Sequence, residues 1–371
     1  MLRVVEVNSR RLLRLFIKFP DILYRGCEWY VPALHSDQRK SLTSCASLGY
    51  CTHKLWLAYR DDEVVGRISA YVNPRYNARY GKKCCRFGWF DFVEDFSVAS
   101  LLIETATSWA REQGMTQIHG PLYYNTLGKQ GMLVEGFGRL PQFNTLYNYP
   151  YYVEYIERLG FVKECDWLQY CSSVQAPPRR LVDISSRQMQ RCNVHFGDID
   201  VLKKDKKRVR QFLQMYSDSF AQSVYNFIPF TEEEMDEEAA QSIPMLSSRF
   251  CDILLDSDEN VVAFGINFPS ISRALQKCRG RFFPFGWMHL LRALKGHNPD
   301  MDLMISGVAP QWKGKALSAV YHTDLCRKFS ENGAERVVMN PQIETNDALN
   351  VWGSYEDMTI YMRRRCYIKN I

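Results

Sequence analysis

Residues 304–317 have the residue types and the spacing of an anion-binding loop. An apolar run ending at Val308 predicts a strand, and Pro310 stops that strand before a glycine-bearing loop enters a predicted helix. Successive backbone N–H groups at the start of a helix form a cradle for negatively charged groups. Small residues at 314 and 316 allow a pyrophosphate to approach the backbone, and lysines at 313 and 315 add positive charge.

The order Val-x-Pro followed by Gln-x-x-Gly-x-Ala over residues 308–316 resembles the acetyl-CoA signature of the GNAT superfamily of N-acetyltransferases. In that family the strand before the loop separates from its neighbour, and the pantetheine chain of the cofactor pairs with its exposed backbone. An ordinary strand–turn–helix junction is the alternative interpretation. The resemblance implies that these residues bind acetyl-CoA as co-substrate: Gly307, Val308, Gln311, Trp312, Lys313, Gly314, Lys315, Ala316, Leu317 and, at the position of a family asparagine, Asn346.

Two residues near Asn346 are the catalytic candidates. Glu344 lies two positions before it, so on a strand both side chains face the same side, and Glu344 is the predicted general base. The alternative role for Glu344 is an ion pair with Arg363 or Lys315. The family often uses a tyrosine after the asparagine to protonate the departing thiolate, and the nearest phenol here is Tyr355.

In the first half of the chain a second family motif is recognisable, whereas the phosphate loop is not. Residues 143–161 resemble a second family motif, Asn…Tyr…Gly-Phe, but residues 90–97 stand where the phosphate loop belongs and contain no glycine. They contain Asp91, Glu94 and Asp95 instead. Each charge would cost a bound pyrophosphate about 1 kcal/mol or more at an effective dielectric constant near 20. We therefore expect no CoA binding of the usual kind in the first half.

The hydrophobic periodicity repeats one order of elements in both halves: helix, hairpin, strand, helix, strand, helix, strand. The predicted helices span 10–23, 97–114, 151–159, 203–220, 232–240, 316–332 and 347–355. The predicted strands span 2–7, 55–59, 64–71, 85–92, 117–120, 167–173, 251–255, 261–268, 302–308, 336–339 and 362–368.

Two domains of one fold class follow from this repeat. We predict a degenerate GNAT-like domain at 1–175, a loose polar linker at 176–197 that begins near Pro177-Pro178, and a GNAT domain with the phosphate loop at 198–371. The fold class is α/β (α+β), each domain being a mixed, mostly antiparallel twisted sheet flanked by helices. Strings such as Val65-Gly-Arg-Ile and Phe87-Gly-Trp-Phe also resemble an uncharacterised bacterial group of tandem GNAT proteins, over nearly the whole chain.

The bulk composition limits the partners. A chain of 371 residues is long enough for two domains of ordinary size. Its net charge of +6 is too small to indicate a nucleic-acid-binding surface, although it suits an anionic cofactor. Twelve cysteines and seven histidines are scattered without metal-ligand spacing, so no metal is expected. No apolar stretch is long enough to span a bilayer, and we expect no membrane partner and a cytoplasmic location.

Three functions fit these observations. The first is acyl-CoA-dependent N-acyl transfer to a small-molecule or peptide amine by direct attack, and the resemblance implies that the acyl group is acetyl. The second is a non-catalytic CoA-binding or sensor protein. The third is an aminoacyl-tRNA-dependent transferase resembling twin-GNAT enzymes, which the basic run at 203–208 supports and the phosphate loop disfavours.

Overall fold

The computed structural model describes residues 1–124, 127–221, 224–346 and 357–371. The helices in this part are α1 Arg10–Leu23, α2 His35–Thr43, α3 Pro74–Tyr80, α4 Phe96–Glu112, α5 Tyr151–Arg158, α6 Arg179–Cys192, α7 Ile199–Leu202, α8 Lys206–Ala221, α9 Glu232–Gln241, α10 Ser272–Cys278, α11 Gly286–Lys295 and α12 Leu317–Glu331. The strands are β1 Leu2–Glu6, β2 Thr52–Arg60, β3 Glu63–Val72, β4 Cys84–Phe92, β5 Gln117–Gly120, β6 Met132–Glu135, β7 Val162–Ser173, β8 His195–Gly197, β9 Asp252–Leu255, β10 Val261–Pro269, β11 Asp300–Val308, β12 Arg336–Met339, β13 Gln342–Ile343 and β14 Thr359–Asn370.

These strands form one sheet in the order β1-β2-β3-β4-β5-β14-β7-β12-β11-β10-β9-β8, with β6 beside β14 and β13 beside β7. Only β4 with β5 and β11 with β12 are parallel among the described pairs, and the rest are antiparallel. Each half therefore contributes a mostly antiparallel sheet with a single parallel pair. This arrangement confirms the predicted fold class.

The C-terminal strand joins the two halves. β14 lies between β5 and β7, both of which come from the first half, and pairs with each of them in antiparallel register. β12, from the second half, also pairs with β7. The domain limits at 175 and 198 stay a prediction, but the backbone hydrogen bonding of the sheet does not follow them.

Local sequence signals explain the best-predicted elements. Asp95 caps α4 by accepting a hydrogen bond from the Ser97 N–H, and the apolar face of α4 packs against β2, β3 and β4. Thr231 and Glu234 form a reciprocal capping box at the start of α9. Both helices begin within one residue of the predicted starts at 97 and 232.

The predicted linker at 176–197 is not loose over most of its length. Residues 179–192 form α6, which Pro178 precedes and which ends at Asn193 in the left-handed conformation. Met189 and Cys192 pack against the apolar cluster that includes α12. The helix was missed because its sequence is mostly polar, and only a narrow apolar stripe meets the core.

Several further elements were not predicted, namely α2, α3, α7, α10, α11, β6, β8 and β13. They are short or lie in irregular sequence, where periodicity is a weak signal. The predicted helix at 347–355, with Tyr355, lies outside the described residues.

Candidate functional site

The parallel strands β11 and β12 begin together and then separate. Their register runs from Asp300 opposite Arg336 to Leu303 opposite Met339, and the Asn340 N–H still donates to the Leu303 carbonyl at 2.7 Å. Beyond that point β11 continues along β10 to Val308. Within the described ranges, no strand pairs with residues 304–308 on the side that β12 has left. The result is a wedge-shaped gap, which we call the wedge, with its apex at Leu303.

The phosphate-loop candidates lie at the open end of the wedge. The Ala309 N–H donates to the Val262 carbonyl at 2.8 Å, and a single 3-10 turn follows over Pro310–Trp312. Gly314 and Ala316 have φ angles of +79° and +52°, in the left-handed region that favours glycine. A side chain added at Gly314 would meet open space. The loop is therefore shaped by its backbone and faces solvent.

This loop leads into α12 without a side-chain cap. In the part of the chain that the structure describes, no acceptor is found for four backbone N–H groups, those of Gly314, Ala316, Leu317 and Ser318. Unsatisfied N–H groups at a helix start carry a partial positive charge. They form the type of cradle that binds a phosphate.

The charges around the loop favour an anion. Residues 303–323 contain Lys313 and Lys315 and no carboxylate. Both lysines are exposed, and the Lys315 ammonium lies 4.0 Å from the centroid of the Trp312 ring. Because the loop contains no carboxylate, either lysine can bind an anion in solvent without breaking an ion pair within the loop.

The corresponding gap in the first half is filled. β4 and β5 pair from Cys84 to Arg86 and then diverge, but the Leu122 N–H donates to the Phe87 carbonyl at 2.7 Å. The Tyr123 ring stacks on Trp89 with centroids 3.6 Å apart. Among the residues that the structure describes, no comparable open edge is left along this part of β4.

The end of β4 is closed as well. The Tyr152 hydroxyl accepts from the Phe92 N–H at 2.9 Å, and the Tyr151 hydroxyl donates to the Phe92 carbonyl at 2.7 Å. The start of α4 already holds a carboxylate, since Asp95 accepts from the Ser97 N–H at 2.8 Å and forms an ion pair with Arg60. Both the strand edge and the helix start are therefore satisfied internally.

Glu344 braces β13 against β7. One carboxylate oxygen accepts from the Lys163 ammonium at 2.7 Å, the other from the Asp166 N–H at 3.1 Å, and the Glu344 N–H donates to the Asp166 carbonyl at 2.9 Å. The hydrogen bond to Glu344 is the largest contribution that raises the pKa of Lys163. The ion-pair partner is thus neither Arg363, which binds Glu135 and Asp166, nor Lys315. The role of Glu344 as a base stays a prediction.

Asn346 lies just past β13, on the side of the wedge opposite β11. Its N–H donates to the Ile343 carbonyl at 2.9 Å, and its side-chain amide donates to Gln342 at 3.0 Å. Tyr355, the other catalytic candidate, lies outside the described residues.

The sequence analysis missed one titratable group near the apex, Asp302. It lies on β11 one residue before Leu303, is 2% exposed, and one of its carboxylate oxygens has no hydrogen-bond partner in the described part of the chain. Burial raises the pKa of Asp302 to about 7. The signal was present, because an aspartate inside the apolar run 301–305 is unusual.

Among the described residues, no group of three or more His, Cys, Asp or Glu side chains is placed to hold a metal ion. No helix in the same ranges is both long enough and apolar enough to cross a bilayer.

Comparison with known proteins gives distant sequence relatives. No protein-family model matches the chain. It is 27% identical over 374 residues to Protein YghO of Escherichia coli (strain K12), covering 97% of this chain and 93% of that protein. It is 24% identical over 300 residues to the bacterial ceramide synthase of Caulobacter vibrioides, covering 79% of this chain and 77% of that protein.

The solved structures are similar in fold. The whole chain aligns with the tandem GNAT protein from the clavulanic acid biosynthesis pathway at a TM-score of 0.56 and 10% identity, covering 98% of that chain. It also aligns with a GCN5-related N-acetyltransferase from Sphaerobacter thermophilus at a TM-score of 0.51 and 11% identity, covering 95% of that chain. The chain therefore has the tandem GNAT fold, as the sequence predicted.

The buried carboxyl group of Asp302 predicts a pH-dependent stability. Because its folded pKa of about 7 lies above the unfolded value, the protonated form stabilises the fold at low pH, and this contribution is lost as pH rises from about 4 through about 7. Asp302→Asn keeps the shape of the protonated carboxyl but does not titrate. Its stability relative to wild type should therefore rise between pH 5 and pH 8 by up to about 3 kcal/mol in urea unfolding. The exposed Asp183→Asn is the control, and an equal pH response in wild type and Asp302→Asn would contradict the assignment.

Proposed function

We propose that the protein is an acyl-CoA-dependent N-acyltransferase that binds one CoA thioester per chain, in the wedge of its second half. The observation that supports this most is the continuity of two features. The unpaired edge of β11 at 304–308 leads directly into the loop whose N–H groups at 314–318 have no acceptor in the described ranges. An extended amide-containing chain and a pyrophosphate need these two surfaces in this order.

In this proposal each part of the cofactor meets one part of the chain. The amides of the pantetheine arm pair with the backbone of Gly307 and Val308 and the residues before them. Gln311 to Leu317 hold the pyrophosphate, with Lys313 and Lys315 beside it. The thioester then lies toward the apex at Leu303, about 17 Å from Val308 along an extended strand.

The proposed chemistry is direct attack of an amine on the thioester carbonyl. Holding both reactants in the wedge supplies proximity, and backbone N–H groups of β11 supply donors for the oxygen that gains negative charge. A covalent acyl-enzyme is not required, and no cysteine lies between Cys278 and Cys326, a stretch that contains all of β11 and the loop. Glu344 is the proposed base that takes the amine proton, directly or through a water.

The acceptor amine is proposed from a relative. One sequence relative, at 24% identity, is a bacterial ceramide synthase. A ceramide is a long-chain amino alcohol acylated on nitrogen, so its formation is N-acyl transfer to an amphiphilic amine. A long-chain amino alcohol is therefore the first acceptor to test, together with fatty acyl-CoA beside acetyl-CoA.

One observation favours a second candidate function, a CoA-binding protein without turnover. Both carboxylate oxygens of Glu344 already accept hydrogen bonds from within the chain, from Lys163 and Asp166. A carboxylate held in this way is less available as a base. The experiment on Glu344 below separates the two functions.

Gly314→Glu should weaken CoA binding. The substitution places a carboxylate in the cradle and strains a backbone with φ of +79°, so we expect affinity to fall about tenfold or more. Titration calorimetry with CoA measures it, with a stoichiometry of one expected for wild type. Gly26→Glu is the matched control, since Gly26 has φ of +83° and equally open surroundings.

The same titration tests the first half. Glu94→Ala removes one negative charge from the filled site and should leave both affinity and stoichiometry unchanged. Two CoA molecules per wild-type chain, or wild-type affinity in Gly314→Glu, would rule out the proposed site.

Glu344→Gln should lower turnover by about 100-fold with CoA affinity little changed, because the amide cannot accept the amine proton. Activity is measured by thiol release over a panel of amines. Lys163→Met is the control: it breaks the same ion pair but keeps the carboxylate, so it should retain turnover within a few-fold. Equal losses of melting temperature and activity in both variants would show that Glu344 only braces β13.

A further inference from the structure

An exposed apolar surface is concentrated in a short segment of the second half. Of the fourteen large hydrophobic side chains that are exposed in the described ranges, six fall within residues 282–291, and Phe283 and Phe285 are 73% and 67% exposed. Exposed apolar residues are normally scattered singly, and a contiguous group indicates an interaction site. We call this group the aromatic patch; it consists of Phe282, Phe283, Phe285, Trp287, Met288 and Leu291.

The aromatic patch is held outward by its own fold. The opposite face of α11 packs through Leu290, Ala293 and Leu294 against the apolar cluster around Val31 and Leu275. The Trp287 N–H donates to the Phe282 carbonyl at 2.9 Å, and its indole N–H donates to the Pro284 carbonyl at 2.9 Å. With these contacts made, the rings cannot turn into the core, and they meet solvent.

Within its own segment of the chain, the aromatic patch is accompanied by charge of one sign. Residues 270–299 contain six lysines and arginines and neither aspartate nor glutamate. Arg281, Arg292 and Lys295, which flank the patch, are all exposed. A segment with rings at its centre and cations at its border matches the order of groups in an anionic lipid surface, where headgroup phosphates lie outside the acyl chains.

We propose that the aromatic patch docks this protein on the face of an anionic phospholipid bilayer, with the rings among the upper acyl chains and the flanking cations at the phosphates. Trp and Phe rings are well suited to this boundary, and long basic side chains reach from it to the headgroups. A second copy of the chain is the less suitable occupant, because two such basic surfaces repel one another. The inference replaces the expectation of no membrane partner with peripheral contact, without a span.

The position of the aromatic patch adds a consequence for the wedge. The segment connects the end of β10 to the start of β11, and Asp300 lies three residues before the apex at Leu303. Docking there brings the acyl end of the proposed site toward the bilayer, where an amphiphilic amine would be found. This consequence rests on the proposed function, whereas the docking itself does not.

Co-sedimentation with vesicles tests the docking independently of catalysis. Wild type should bind vesicles of phosphatidylcholine with phosphatidylglycerol and not vesicles of phosphatidylcholine alone, and added salt should weaken binding. The double variant Phe283→Ser/Phe285→Ser and the double variant Arg281→Glu/Arg292→Glu should each reduce binding about tenfold or more. Because all four residues are exposed, the melting temperature should be unchanged.

Two single variants on α7 and α8 of the second half serve as controls. Val201→Ser removes a different exposed apolar side chain, and Lys207→Glu reverses a different exposed charge, so both should bind vesicles like wild type. Absence of wild-type binding to the phosphatidylglycerol vesicles would overturn the proposal, as would binding equal to wild type in either double variant. A dimer in sedimentation velocity that the serine variant dissolves, without vesicle binding, would assign the patch to self-association instead.

Discussion

The wedge depends on the path of the chain after Asn340. β12 lies between β11 and β7, and these two neighbours diverge beyond Asn340, so the chain can stay paired with only one of them. Residues 342–343 pair with Leu168 and Trp167 of β7 and leave β11. Asp166 secures this choice, because its backbone bonds Glu344 on one side while its buried carboxylate accepts from Arg365 at 2.8 Å. The pairing with β7 therefore opens the gap along β11.

This dependence makes the proposed site a property of the whole chain. β7 belongs to the first half and is itself paired with β14, the last strand of the second half. One wall of the wedge is thus β11, and the other is attached to the sheet of the first half. In the proposed function, the first half therefore contributes to the site by fixing this wall, whether or not it binds a ligand of its own.

The two halves show two outcomes of the same architecture. Each contains one parallel strand pair that diverges, followed by a helix. In the first half, aromatic rings and tyrosine hydroxyls fill the gap, and Asp95 neutralises the helix start; in the second half, the strand edge and the helix start remain unsatisfied among the described residues. Filling the gap favours stability, whereas leaving it open keeps polar backbone groups available for a ligand.

The sequence predicted features that depend on residues close together in the chain, and it failed for features that depend on residues far apart. The loop at 311–316 and the starts of α4 and α9 are set by residues a few positions apart, and local patterns predicted them to within one residue. The helix α6 was missed because its polar sequence carries little periodicity. The partner of Glu344 could not be predicted, because Lys163 lies 181 residues away and meets it only through the pairing of β13 with β7. Asp302 was visible as a polar residue in an apolar strand, but its burial is set by tertiary packing.

Amide hydrogen exchange with and without CoA tests most directly whether the wedge binds the cofactor, because it measures the backbone N–H groups of β11 and of the loop before α12. Saturating CoA should protect the amides of residues 304–308 and 314–318 and leave the exchange of residues 87–97 unchanged. Protection at 87–97, or no protection in either segment when CoA is bound, would contradict the claim that the open wedge of the second half holds the cofactor.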